Sequence, residues 1–334
     1  MSDRRDPVEA ADDGSRDLYD VTTWEERTSV DGAAVALYWL VTRAAKWVVV
    51  LLALAILVGI GGLTAISEPA VGLLTLLSVI PAFGLAIYVY RSDVTTGEPL
   101  SLLVATFILS ILFATFAAIV NSYARELFAP LGSLGLVLFY FLIVGPGEET
   151  VKLLAVRLYA YTDARFDSVV DGAVYGAVSG LGFATIENSL YIVTQLEEAG
   201  ELAELSLGVG AIFAGGDITA IRALAGPGHV IYSAIAGYYL GLARFNPDNR
   251  GPIVVKGLLL AAVIHATYNS TAGLGSFAIG TITGLPPLAS FLVFVIVFDG
   301  VFGLFLLRKL WRYRSVYRAV DADDRAAGRS GAGR

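Results

Sequence analysis

The stretch GLVLFYFLIVGPGEETVKLLAV, residues 135–156, sets ten successive apolar or glycine residues directly before Gly145-Pro146-Gly147 and two adjacent glutamates. In a water-soluble helix Glu148 and Glu149 would be ordinary first-turn residues, favoured there by the positive end of the helix dipole. Behind so apolar a run they need a charged partner or a wet cavity, because an ionisable side chain at membrane depth costs several kcal/mol otherwise. The run belongs to a longer apolar segment, 131–161, which predicts a long helix broken at Pro146, since proline removes a backbone donor and crowds the preceding turn.

Working outward, similar runs occur at 47–66, 70–90, 100–120, 168–193, 227–243, 253–273 and 288–307. Each is long enough to cross a hydrocarbon core of about 30 Å as a helix. The fold expected is all-α, a polytopic transmembrane helical bundle of about eight spans. Composition agrees: 56% of the 334 residues are apolar and only 16% charged, with a mean hydropathy of +0.70. Residues 207–221, LGVGAIFAGGDITAI, are short and glycine-rich, and read either as a ninth crossing or as an interfacial loop-helix.

Basic residues arbitrate. If 207–221 does not span, Arg43, Lys46, Arg91, Lys152, Arg157, Arg165, Arg244, Arg250, Lys256, Arg308, Lys309, Arg312 and Arg314 share one side. The opposite loops, 67–69, 194–206 and 274–287, contain no Lys or Arg. Eight crossings with both termini cytoplasmic, in an integral protein of the cell membrane, are therefore expected. Residues 1–32 are acid-rich and poor in large apolar side chains, so a disordered acidic tail is expected. No removable signal peptide is read before the first long span. The expected organisation is the tail, N-terminal transmembrane helices over 33–129, a catalytic transmembrane core over 130–275, and a C-terminal helix with a basic cytoplasmic tail over 276–334. The sequence pI is about 4.9; with lysine scarce beside arginine, this looks like a high-salt (halophile) composition.

The chain has no cysteine and two histidines, which excludes disulfides, thiolate metal sites and a cysteine nucleophile. Four apolar stretches carry polar groups out of place: Glu148 and Glu149; Glu187 with Asn188 in GFATIENSLY; His229 in GPGHVIYSA; and His265 with Asn269 in VIHATYNS. Helix periodicity tests whether they can meet. Gly172, Gly176, Gly180 and Glu187 fall on nearly one face, His229 shares a face with Ser233, Gly237 and Gly241, and His265 shares one with Ala261, Asn269 and Ala272. Small-residue stripes of this kind let helices approach closely, so the polar groups should face other helices and not lipid. Lys152, at i+4 from Glu148 and i+3 from Glu149, can neutralise one carboxylate and leave the other free to act. Each feature has a plainer explanation: an interfacial ion pair for Glu148, Glu149 and Lys152, a helix-start residue for His229, interhelical hydrogen bonds for His265 and Asn269. Asp299, in VFVIVFDGVF, is equally out of place, and no pattern pairs it.

GEETVK, FATIENS, GHVIYS and HATYN, in that order, resemble the PrsW family of intramembrane glutamic proteases, within the wider group that includes CAAX prenyl endopeptidases and bacteriocin-processing membrane proteases. The likeness covers about residues 130–275. It implies peptide-bond hydrolysis within the membrane, in a membrane-anchored protein of the anti-sigma-factor kind. It also implies a catalytic set of Glu148, Glu149, Glu187, His229, His265 and Asn269, supported by Lys152, Phe183, Asn188 and Ser233. Glu148 resembles the base that activates water, Glu149 the second motif glutamate, and His265 with Asn269 the pair that holds the oxyanion. CAAX relatives carry His where this chain has Glu187 and Arg where it has Lys152. No cofactor and no nucleic-acid partner are expected. The alternatives are a zinc-dependent intramembrane protease, since two His and several Glu could ligate zinc, a proton-coupled transporter, and a non-catalytic scaffold. The oligomeric state is not legible.

Overall fold

The computed structural model describes residues 8, 11, 13–59, 68–95, 97–202, 205 and 207–331. The helices are α1 (Ser29–Gly59), α2 (Pro69–Tyr90), α3 (Leu100–Phe128), α4 (Gly132–Phe139), α5 (Gly145–Arg157), α6 (Val169–Ala199), α7 (Val209–Arg244), α8 (Arg250–Thr283) and α9 (Pro287–Gly331). Among the described residues no β-strand forms beyond an isolated bridge between Tyr19 and Thr23. The chain divides into two compact units, Met1–Leu52 and Ala53–Arg334. In the first, Asp31 gathers the preceding segment: it accepts hydrogen bonds from the Tyr19 hydroxyl, Trp24 Nε1 at 3.2 Å, and the Thr28 amide and hydroxyl, both at 2.7 Å. The Tyr19 and Thr28 hydrogen bonds hold its carboxyl well below the usual range. Part of the segment expected to be disordered, 13–28, is thus tied locally by polar contacts; residues 1–7, 9, 10 and 12 lie outside the described residues.

In the second unit, α6 is the central helix. Its most apolar 18-residue window is 89% buried, against 22–39% for the other candidate spans. Ser168 starts it with a reciprocal cap, its hydroxyl accepting from the Asp171 amide while the Asp171 carboxylate accepts from the Ser168 amide at 2.9 Å. The stripe of Gly172, Gly176 and Gly180 meets the stripe of His229, Ser233, Gly237 and Gly241 on α7. A Cβ at Gly172 would collide with the Gly237 carbonyl oxygen, and one at Gly180 with that of His229. This backbone-to-backbone approach is what sets His229 beside α6.

Six helical runs among the described residues are long and apolar enough to cross a membrane, against about eight spans expected. Two causes account for the difference. The first expected span, 47–66, is described only to residue 59. The run Leu100–Arg157 folds back on itself: Gly132 adopts φ +59°, and Asn121 on α3 hydrogen-bonds Glu148 on α5, 27 residues later, at 2.9 Å. A straight helix would separate those residues by about 40 Å, so this run is two antiparallel crossings.

Two further expectations are corrected. The helix is not broken at Pro146. A π-helical turn, Tyr140–Val144, runs directly into α5, with the Gly145 amide donating to the Tyr140 carbonyl five residues back. The wider turn absorbs the proline, and such turns recur at functional sites. Residues 207–221 are neither a separate crossing nor a loop: they join 227–243 in one 36-residue helix, α7, which runs through Pro227. Proline is tolerated inside membrane helices where neighbouring groups satisfy the freed carbonyl. Exposed Leu76, Ile80 and Phe83 on α2 and Ile296, Val297 and Leu304 on α9 form the lipid-facing surface of this integral membrane protein.

Because Gly237 packs against α6 backbone, Gly237→Leu is expected to lower stability in detergent by about 1–3 kcal/mol or more. Gly273→Ala, at a position open to space, should leave the thermal unfolding midpoint unchanged or raised.

Candidate active site

Four helices of the second unit bring their polar groups to one place. From α5, Glu149 is fully buried and accepts three hydrogen bonds: at Oε1 from Lys152 Nζ (2.7 Å) and His265 Nδ1 (2.9 Å), and at Oε2 from the Ser233 hydroxyl (3.3 Å). The Lys152 ammonium is equally buried. It also reaches His229 Nδ1 at 2.9 Å and stands 4.2 Å over the Phe183 ring. His229 Nε2 lies 2.9 Å from Glu187 Oε2, and that carboxylate pairs with Arg222 of α7. The imidazoles of His229 and His265 meet edge to face, 5.2 Å apart.

These contacts decide the imidazole tautomers. An ammonium only donates, so His229 Nδ1 accepts from Lys152, and Nε2–H donates to Glu187. Glu149, already accepting from Lys152, accepts from His265 Nδ1–H; in the neutral ring the Nε2 lone pair then faces Glu148. Glu148 Oε1 accepts from Asn121 Nδ2 at 2.9 Å, while Oε2 is buried with no hydrogen-bond partner, 3.7 Å from His265 Nε2. Two acceptors face each other across a gap too long for a direct hydrogen bond. A proton, a water or a cation has to stand beside them.

A cavity of about 340 Å³ adjoins this gap. Glu148, Glu187, His229, His265 and Asn269 form its polar wall, with Phe183, Leu136 and Tyr140 on the apolar side. Glu149, Lys152 and Ser233 lie behind that wall. Asn188 does not reach it: its amide donates to Ser78 Oγ at 3.0 Å and to the Arg222 carbonyl, and accepts from Arg222 Nε at 2.8 Å, which braces α6 against α2 and α7.

Arg222, Asn121 and Tyr191, whose ring lies 4.3 Å from the Arg222 guanidinium, were not singled out from the sequence. Arg222 carried a readable signal, an arginine five residues before Pro227 in an apolar stretch, hidden when 207–243 is divided into two segments. Asp299 has a partner after all: it accepts from the Tyr232 hydroxyl at 2.9 Å, and the Tyr232 ring packs on His265 with centroids 5.5 Å apart.

Glu148, His229 and His265 each offer one ligand atom within 4.8 Å of the others. Two imidazoles and a carboxylate, with an orphaned carboxylate oxygen among them, fit a catalytic zinc ion or a similar metal. Ligation by His229 Nε2 would require its Nδ1 to carry the proton and the Lys152 ammonium to stop donating there.

A membrane-embedded helical bundle with a buried carboxylate–imidazole cluster beside a cavity defines the class, an integral membrane protein with a candidate polar site. A sequence model described as "PrsW family intramembrane metalloprotease" matches residues 98–301. The chain belongs to the PrsW family of intramembrane proteases. It is similar to Protease PrsW of Bacillus subtilis (strain 168), 30% identical over 193 residues, covering 57% of this chain and 78% of the relative. It is also similar to Protease PrsW of Shouchella clausii (strain KSM-K16), 26% identical over 197 residues, with 59% and 81% covered. With Protease PrsW of Geobacillus kaustophilus (strain HTA426) the identity is 30% over 201 residues, with 57% and 76% covered. No solved structure matches the chain.

Lys152→Met would leave Glu149 buried without its cation, a change that costs about 3–5 kcal/mol. The unfolding midpoint in detergent should fall accordingly, and the double variant Lys152→Met/Glu149→Gln should recover part of the loss.

Proposed function

We propose that this chain is an endopeptidase that hydrolyses a peptide bond in a membrane-anchored protein, with Glu148 as the base that activates water. The observation that carries the reading is charge pairing. Of the three carboxylates in the cluster, Glu149 pairs with Lys152 and Glu187 with Arg222, while Glu148 has a single amide donor and an unpartnered oxygen.

A water beside that pair donates a proton to Glu148 Oε2 as its oxygen attacks the scissile carbonyl carbon, and the carbonyl oxygen takes the negative charge. Asn269, half-buried on the cavity wall with no side-chain hydrogen bond among the described residues, is free to donate to that oxyanion. His265, on the same wall, joins it through Nε2 when that nitrogen carries a proton. The proton held by Glu148 then passes to the departing amide nitrogen as the C–N bond breaks, regenerating the carboxylate. His229, held by Lys152 and Glu187, orients substrate or water from the far side.

A second reading keeps the same substrate and reaction. The metalloprotease description of the family and the ligand geometry of Glu148, His229 and His265 support a bound metal. When bound there, such an ion supplies Lewis-acid polarisation of the carbonyl and a more acidic water. The substrate class, a single-span membrane protein of the anti-sigma-factor kind, follows from the family resemblance. The excess of Arg and Lys on one set of loops supports the cell membrane, with both termini in the cytoplasm.

Purified protein with a membrane-protein library, read by mass spectrometry, tests the reading. Glu148→Gln should cut cleavage by about 10²–10⁴-fold with the unfolding midpoint near wild type. Cleavage surviving both Glu148→Gln and His265→Ala refutes the assignment. Activity retained in chelator favours the glutamate-only chemistry; loss in chelator, restored by zinc and matched by one zinc per chain, favours the metal.

A further inference from the structure

A second group of carboxylates lies away from the cavity. Asp93 follows α2, Glu98 precedes α3, and Asp171 is in the first turn of α6, about 24 Å along that helix from Glu187 at 1.5 Å per residue. One carboxylate oxygen from each lies within 4.8 Å of the other two. Asp171 is held by its cap, accepting from the amides of Asp167 and Ser168 and from the Ser168 hydroxyl. Glu98 is 4% exposed; Oε2 accepts from the Tyr175 hydroxyl, and Oε1 is buried with no partner. Asp93 receives the Thr95 amide and hydroxyl at Oδ1, at 2.9 and 2.8 Å, while Oδ2 is likewise buried and unpartnered.

Three carboxylates in contact need compensating charge. Among the described residues no Lys or Arg forms an ion pair with any of them, so a proton or a bound cation has to supply it. We infer that Asp93, Glu98 and Asp171 bind a hard divalent cation, Ca²⁺ or Mg²⁺, that ties the α2–α3 connection to the start of α6. The donors are all oxygen, the preference of these ions over softer metals. Bonds of about 2.0–2.6 Å place the oxygens around one ion up to about 5 Å apart, which the cluster matches. Two of its oxygens already lack donors, and Asp93 is only half-buried, so an ion can enter from water. The inference does not depend on the catalytic reading, since none of the three residues lines the cavity.

The test uses the full chain in detergent, stripped with chelator and exchanged into metal-free buffer. Calcium chloride and magnesium chloride are titrated separately by calorimetry, with thermal unfolding in parallel. One saturable site per chain is expected for at least one ion, together with a raised unfolding midpoint. Asp93→Asn, whose amide oxygen can still accept from Thr95, should weaken binding at least tenfold, and Glu148→Gln should bind as wild type does. Glu98→Gln, which keeps an acceptor for Tyr175, replaces Asp93→Asn if that variant fails to fold. No saturable binding in the wild type, affinity indifferent to both variants, or binding lost in Glu148→Gln would overturn the inference, the first pointing to a shared proton and the last placing the ion at the imidazole cluster.

Discussion

The buried ammonium of Lys152 is the contact on which the candidate site depends. It lies 2.7 Å from Glu149 and 2.9 Å from His229, sealed from water. Its charge lets Glu149 stay ionised inside the bundle, and its lack of lone pairs forces His229 to accept at Nδ1. From those two facts further protons follow: His229 presents an N–H to Glu187, and His265 presents Nδ1–H to Glu149. A side chain that never touches the cavity therefore determines which atoms of the cavity wall are donors and which are acceptors.

Packing delivers these groups to one another. Glycines on α6 and α7 remove the side chains that would hold the two backbones apart, so His229 sits close enough to α6 to reach Glu187. On the other side the π-helical turn rotates α5 relative to α4 just before Glu148, adding one residue without breaking the helix. Asn121, on the antiparallel α3, then caps the carboxylate that the turn exposes. The constellation is thus built on helices and not on loops, which suits a site whose charges tolerate little displacement in a medium of low dielectric.

How much of this was readable differs residue by residue. The inward faces of Glu187, His229 and His265 were legible because a 3.6-residue period maps sequence spacing onto helix faces, and Lys152 was legible as a partner because it is one turn from Glu149. The roles of Asn121, Arg222 and Tyr232 were not, since their partners lie 27, 35 and 67 residues away and only tertiary packing joins them. The same holds for Asp93, Glu98 and Asp171, which are unremarkable near helix ends until the fold superimposes them. Proline misled once: Pro146 reads as a break, yet a π turn leads into it without interrupting the helix. The glycine-rich, short look of 207–221 hid its continuity with 227–243, which α7 carries straight through Pro227.

Charge accounting links the two chemical readings of the cavity. Glu148, Glu149 and Glu187 carry three negative charges when ionised, against one positive charge each from Lys152 and Arg222, when both imidazoles are taken as neutral. One of the three carboxylates, Glu148, has no Lys or Arg ion-pair partner among the described residues; Arg125, also on the cavity wall, pairs with none of them. A proton on Glu148 removes the imbalance, a polarised water shares it, and a divalent cation reverses it by one unit. The first two states are the end points of a general base cycling through a hydrolysis, so the imbalance is what a glutamate-driven mechanism needs. The third is reached through His229 Nε2 only if His229 shifts its proton to Nδ1 and Lys152 stops donating there, because a neutral imidazole has one ring-nitrogen lone pair, which a metal and an ammonium cannot share. The Lys152–His229 contact is therefore the point at which the two chemistries part.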